Sequence, residues 1–306
     1  MNFLITGGAG FIGVNLAKAL FAAGHKVRIL DNAGTVSLDD ITFSDFADVR
    51  SKEARVQCRG IDTIIHLAAE TGVQPSVEDP EPSVQTNVLG TLNMLEGAIE
   101  YGVKRFILAS SGTVLGNASP PFEEKMMTRP TSPYGASKLA GEAYCSAYYH
   151  SYGLETVVLR FSNIYGPHAW HKNNLFVNFI RAALKEEPLH IYGDGRQTRD
   201  FLYVKDLVEA IILASTVPDI GGQVFQVASG KETSILTLLE IMKAISLEEI
   251  AQEVEYTFEP PRPGEAKRSY AYNYYAKLML GWEPKYDLVT GMTETFRWYL
   301  RKYYYE

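Results

Sequence analysis

The segment Thr6-Gly7-Gly8-Ala9-Gly10-Phe11-Ile12-Gly13 constrains this chain more than any other feature. It follows the apolar run Asn2–Ile5 directly and opens a stretch of helical period. Glycines at 7, 10 and 13 let the backbone turn tightly and let a helix pack close to a strand. They also leave the helix N-terminus open toward a pyrophosphate. The spacing is GxxGxxG rather than GxGxxG, and alone it also describes an ordinary tight strand-to-helix turn. Asp31 narrows the reading. It ends the second apolar run, Lys26–Leu30, 18 residues beyond Gly13, where a carboxylate takes the adenosine ribose hydroxyls of a bound dinucleotide. A carboxylate there repels a 2′-phosphate, so NAD is favoured over NADP; with Asn32 and Gly34 following, a turn or cap aspartate is the alternative.

The rest of the first half keeps the rhythm that the glycine segment begins. Apolar strands at Thr63–Ala68, Arg105–Ser110 and Glu155–Arg160 alternate with helices over Phe11–Ala23, around Ser83–Tyr101, and from Tyr134 to about Tyr152, where Gly153 ends the last. Strands that are apolar on both faces imply a parallel sheet covered by helices. The expected fold is α/β, a Rossmann-type doubly wound parallel sheet with a smaller α/β C-terminal substrate lobe. After about residue 165 the rhythm breaks at Gly166-Pro167, Asn173-Asn174, Gly193-Asp194-Gly195 and Pro260–Gly264. The division expected is a cofactor domain over 1–165 and an interleaved substrate lobe over 166–306.

Composition excludes other classes. With 46% hydrophobic residues the chain has material for a core, and its formal net charge of −7 disfavours a nucleic-acid or anionic-membrane binder. Two cysteines, Cys58 and Cys145, cannot build a disulfide framework and read as buried thiols of a reducing compartment. The pattern suggests neither a signal peptide nor a membrane span, hence a cytoplasmic protein. The acidic run Glu248–Glu255 reads as a solvated helix end. The spacing of His168, Trp170 and His171 matches no metal site.

Tyr134 and Lys138 stand four apart at the start of the long helix, so they share one face. A tyrosine with pKa near ~10 is too weak a base at neutral pH. A nearby ammonium and a positive nicotinamide favour its phenolate. An interfacial tyrosine beside a solvated lysine gives the same pattern. Ser110-Ser111 adds weight, because it closes the strand at Arg105–Ser110 on the side where ligands bind in an open α/β sheet. Ser111 is placed to bond a reacting hydroxyl and pass its proton to Tyr134; a capping or turn serine is its plainer reading.

Together TGGAGFIG, Asp31-Asn32, His66-Leu67-Ala68-Ala69, Asn87-Val88-Leu89-Gly90-Thr91, Ser110-Ser111 and Tyr134-Gly135-Ala136-Ser137-Lys138 resemble the extended short-chain dehydrogenase/reductase superfamily. Within it, the chain is most similar to the NAD-dependent nucleotide-sugar epimerases and dehydratases, above all UDP-sugar 4-epimerases. The likeness continues through Arg160–Pro167, Gly193–Asp200 and Arg262–Glu265. It implies that Gly7, Gly10, Phe11, Ile12, Gly13, Asp31, Asn32, Asp48, Val49, Leu67, Ala68, Ala69 and Asn87 serve NAD, joined by Tyr134 and Lys138. It implies Ser111, Tyr134 and Lys138 as catalytic. On the substrate side it implies Ser111, Thr113, Asn163, Asn174, Leu175, Arg199, Arg262, Glu265 and Ser269. Two arginines suit a diphosphate's geometry, although Arg199 also has Asp194 and Asp200 for ion pairs and Arg262 also fits an ordinary loop.

Two positions depart from the family pattern. Leu115 replaces the usual tyrosine near the pocket, and Gly112-Thr113 lacks the acid that dehydratases and decarboxylases of this group carry. The missing acid favours oxidation and reduction at one carbon. Ser269 stands where a large residue restricts some epimerases to plain hexoses, and so suggests room for an N-acetyl group. The expected activity is a nucleotide-sugar 4-epimerase with a transient 4-keto sugar. Its rivals are a 4-dehydrogenase or reductase, a dehydratase, and a non-catalytic NAD-binding sensor. The helices at 83–101 and 134–152 resemble the pair through which this family often dimerises, so a homodimer is expected.

Overall fold

The computed structural model describes residues 1–33, 36–38, 41–43, 46–169, 175–261 and 266–305. Its centre is a six-stranded sheet of β1 (Asn2–Thr6), β2 (Lys26–Leu30), β3 (Thr63–His66), β4 (Arg105–Ser111), β5 (Glu155–Phe161) and β6 (Val224–Val227). Every neighbouring pair is parallel, in the order β2-β1-β3-β4-β5-β6. The order reverses between β1 and β3, which opens a crevice at the strands' carboxyl ends.

Helices cover both faces, as the apolar strands require. On one side α1 (Phe11–Ala22) packs with α4 (Val204–Thr216). On the other lie α2 (Thr91–Glu100) and α3 (Pro133–Tyr152). One buried cluster joins Ile5, Leu16, Ile107 and Leu159 to the C-terminal residues Ile211, Phe225 and Phe296. A second, with Leu4, Met94, Phe106 and Tyr148, fills the opposite face.

The helix expected at Ser83–Tyr101 is a longer composite. A short helix at Glu81–Ser83 runs into a π-helical segment, Val84–Gly90, before α2 begins. The strand expected at Thr63–Ala68 stops at His66, because Leu67–Glu70 leaves the sheet to form the crevice wall.

Sequence rhythm alone did not reveal β6. Val224–Val227 lies far beyond residue 165, yet pairs with β5 from Val224↔Val158 to Val227↔Phe161. The chain therefore returns to the main sheet after beginning the smaller lobe. That lobe contains the parallel pairs Asn163–Tyr165 with Phe201–Tyr203 and Leu189–Tyr192 with Tyr256–Glu259. Helices Leu175–Lys185, Ile235–Ile250 and Leu288–Tyr305 pack with one another around them, while Tyr274–Leu280 packs on β6 and α4. The acidic run begins in the last turns of Ile235–Ile250, where Glu249 is paired with Arg297 rather than simply solvated.

Candidate active site

The glycine segment forms a close strand-to-helix junction. Gly7 has φ +67°, and a Cβ on it would lie 2.7 Å from the Ala68 nitrogen; one on Gly13 would lie 2.5 Å from Gly8 Cα. Gly10 caps α1 with extended backbone, no side chain closes that end, and no acid occupies its first turn. The helix therefore keeps an open, positive N-terminus. Asp31 Oδ2 accepts from the Ala9 amide at 2.9 Å and Oδ1 from Ala33 at 2.9 Å, so the carboxylate is tied to the glycine turn.

These residues line a cleft of about 260 Å³. Gly7, Gly10, Phe11, Ile12 and Gly13 line it together with Leu67, Ala68 and Ala69. Asp31, Asn32, Asp48 and Val49 complete this part of the lining. Hydrogen bonding from the Arg50 guanidinium holds the Asp48 carboxyl below its usual range. The Gly cradle, the open helix end and a carboxylate closing β2 fit a dinucleotide.

Asn87 corrects the sequence reading. It does not line the cleft: its side chain is buried, with Oδ1 accepting from Glu70 N at 2.8 Å and Nδ2 donating to Glu70 O and Ser137 Oγ. The π-helical segment turns it inward, where its whole carboxamide clamps the Leu67–Glu70 wall to α3. His66 continues this support. Thr91 Oγ1 donates to Asn87 O at 2.6 Å, so it receives the His66 Nε2 proton, and His66 Nδ1 accepts from Thr6 Oγ1. Burial holds this neutral imidazole down to about 3, with the Lys138 charge adding to the effect.

Helix α3 begins at the cleft floor. Ser132 caps it, its Oγ accepting from Gly135 N at 3.1 Å, and Pro133 occupies the first turn, where its missing N–H costs nothing. Tyr134 and Lys138 project together, with Nζ 5.9 Å from the tyrosine ring centre. Lys138 is buried and Tyr134 half-buried, which removes the reading of a solvated lysine beside an interfacial tyrosine. Burial raises the phenol, and hydrogen bonding with Ser111 pulls it the other way. Burial wins, so within the protein alone the phenol stands above its ordinary value rather than below it as the lysine pairing suggested. Lys138 Nζ donates to Ala109 O at 2.9 Å, and burial draws its ammonium down to about 8.

A second cleft, of about 460 Å³, opens on the other side of Ser111 and shares Phe161 with the first. Ser111, Thr113, Asn163, Arg199 and Ser269 are among its lining residues. Arg199 Nη1 donates to the carbonyls of Thr198 and Ala266, each at 2.8 Å. Leu175 does not line this cleft; it starts its helix and packs on the core. Asn174, Arg262 and Glu265 lie outside the described residues, as do Trp170 and His171. Leu115 is buried in a small cluster with Val114, Phe122, Ala228 and Ala271.

Sequence reasoning missed the support beneath these clefts. Ser110 Oγ donates to Glu142 Oε1 at 2.5 Å, and Arg160 grips Glu142 with two bonds of 2.9 and 2.7 Å. Glu142 stands four residues after Lys138 on the same helical stripe, a signal available from spacing alone. A parallel sheet with a dinucleotide crevice, and a Tyr–Lys–Ser group where that crevice meets a second cleft, are the arrangement of a dinucleotide-dependent enzyme.

Residues 3–228 match the NAD dependent epimerase/dehydratase family. The chain belongs to that family, and NAD is its cofactor. UDP-glucose 4-epimerase of Mycolicibacterium smegmatis is 34% identical, over 99% of this chain and 99% of its own. Among solved structures, UDP-glucose 4-epimerase of Thermotoga maritima with UDP-glucose has a TM-score of 0.91 at 33% identity, covering 99% of this chain and 100% of that one. UDP-glucuronic acid 4-epimerase of Bacillus cereus with UDP-glucuronic acid and NAD has a TM-score of 0.90 at 30% identity, covering 99% and 100%.

Proposed function

We infer that the chain is a UDP-sugar 4-epimerase. The observation that carries this is the placement of Tyr134, Lys138 and Ser111 between a dinucleotide crevice and a second cleft, with Gly112-Thr113 supplying no acid. Bound NAD supplies a reversible hydride acceptor for the sugar's C4. Ser111 bonds the 4-hydroxyl and passes its proton to Tyr134. Lys138, fixed at Ala109 O, keeps a positive charge beside the phenol and would hold the nicotinamide ribose. Asn163 and Arg199, with Asn174, Arg262 and Glu265 from the sequence pattern, hold the nucleotide diphosphate while the transient 4-keto sugar turns. Holding the nucleotide uses binding energy remote from C4 to position the reacting carbon. With no net oxidation of the sugar, bound NAD would be left unchanged at the end of a cycle.

The sugar is a hexose or an N-acetylhexosamine, since Ser269 leaves space in the cleft lining. A 4-dehydrogenase or reductase shares the site but gives net NADH. A dehydratase needs the acid missing at 112–113, and a sensor has no use for all three catalytic groups. A homodimer through α2, α3 and the turns before α2 is supported by the exposed side chains of Leu89, Ile99, Tyr144 and Tyr152. No helix among the described residues is long and apolar enough to cross a membrane; the buried, free Cys58 and Cys145 support a cytoplasmic setting. Incubation with a panel of nucleotide sugars, read by NMR, yields the C4 epimer of one or more. Tyr134→Phe lowers turnover at least a hundredfold with NAD still bound; unchanged turnover would remove the assignment.

A further inference from the structure

The short helix Val73–Glu78 packs on α3 and buries one side chain, that of Ser76. Ser76 is 2% exposed, while Val73 and Val77 on the same helix are 40% and 58% exposed. In the single chain, a helix that buries its serine and leaves its valines exposed reverses the usual order, so the buried hydroxyl needs a physical reason. Its bonds supply one. Ser76 Oγ donates to Val73 O at 2.7 Å and accepts from the Tyr134 backbone N–H at 3.1 Å, across 58 residues of chain. Tyr134 stands in the first turn of α3, where an amide has no partner within its own helix. Its carbonyl is engaged as well: Ser137 Oγ donates to Tyr134 O at 2.8 Å and accepts from Asn87 Nδ2 at 2.9 Å. Side chains thus hold both backbone polar groups of the tyrosine, the amide from outside α3.

The residues just before Ser76 belong to the clefts. Thr71 lines the first and Val73, Gln74 and Pro75 line the second, with Gly72 turning between them at φ +117°. We propose that Ser76 is a positioning residue for the reaction: through the Tyr134 amide it fixes the catalytic phenol to the Val73–Pro75 wall of the second cleft and keeps it aligned with Ser111. This rests on the nucleotide-sugar reading above. Ser76 itself lines neither cleft, so it acts through Tyr134 alone. Its loss lets the first turn of α3 shift against Ser111 and leaves the lining of both clefts in place. A misplacement of about 1 Å at the reacting groups costs about a hundredfold in rate.

The test is a single turnover of UDP-glucose and of UDP-N-acetylglucosamine with NAD-loaded protein in saturating excess, for wild type, Ser76→Ala and Ser76→Cys. A thiol is close in size to the hydroxyl but a weak acceptor, so it separates the hydrogen bond from the space the side chain fills. Both variants slow formation of the C4 epimer at least tenfold, while bound NAD per chain and UDP affinity stay within twofold of wild type. With protein in saturating excess the rate constant does not depend on any unfolded fraction, so a merely structural loss leaves it unmoved. A wild-type rate in either variant, or a slowing matched by weaker UDP or NAD binding, overturns the positioning role. Net NADH in place of the epimer, slowed in the same way by both variants, overturns only the epimerase reading. No turnover by the wild-type protein overturns both.

Discussion

Glu142 and Arg160 test how the fold sets the catalytic distances. The pair is buried, at 7% and 4% side-chain exposure, with a bidentate contact and a third bond from Ser110. Lys138 holds Ala109 and Glu142 holds Ser110, so α3 is fixed to the two residues immediately before Ser111. Glu142→Ala leaves the Arg160 guanidinium buried without its carboxylate, at a cost of about 3–5 kcal/mol. With an unfolding entropy of about 2.1 cal/mol/K per residue, that lowers the melting midpoint by about 5–8 °C for a chain of this length. The loosened contact lets Ser111 move relative to Tyr134, so kcat falls at least tenfold while UDP affinity stays within twofold. The double replacement Glu142→Leu with Arg160→Met regains most of the midpoint, because an apolar pair substitutes well for a buried ion pair. It does not regain kcat. Calorimetric melting and steady-state kinetics on the three proteins decide the matter. A midpoint change below about 1 °C with kcat intact, or full recovery of kcat by the double replacement, refutes this positioning role.

Two further perturbations follow from the geometry. Asp31→Ser weakens NAD about tenfold and narrows its advantage over NADP, measured by fluorescence titration, since a ribose contact is lost and a repelling charge removed. His66 is held neutral with its pKa near 3 against about 6.5 when unfolded. The unfolded chain therefore binds the proton first, and stability drops as pH falls from about 6.5 toward 3, by about 2 kcal/mol at pH 5. His66→Gln flattens that part of the denaturation profile; an unchanged slope between pH 6.5 and 4.5 refutes the account.

The cofactor half was legible because its signals are local. Glycines at fixed offsets, Asp31 at a strand end, and Tyr134 with Lys138 one turn apart each carry their chemistry within a few residues. Features made by distant pairing were not legible. Val224–Val227 is a short apolar run that becomes the sixth strand only through Val158–Phe161. Asn87 was read as a cofactor contact from its motif, but the π-helical turn that points it at Glu70 and Ser137 has no simple sequence period. The bond from the Tyr134 amide to Ser76 spans 58 residues, which a linear pattern does not record. Glu142 lies between these cases: its helical stripe was visible, its partner Arg160 was not.

The most direct test of the central claim is to follow a label at the reacting carbon. UDP-glucose carrying deuterium at C4 is incubated with the protein in ordinary water, and the epimer is analysed by NMR and mass spectrometry. The account predicts that the deuterium remains at C4 of the product with inverted configuration and that no NADH accumulates. Deuterium exchanged for solvent hydrogen, net NADH, or a sugar lighter by one water would contradict it.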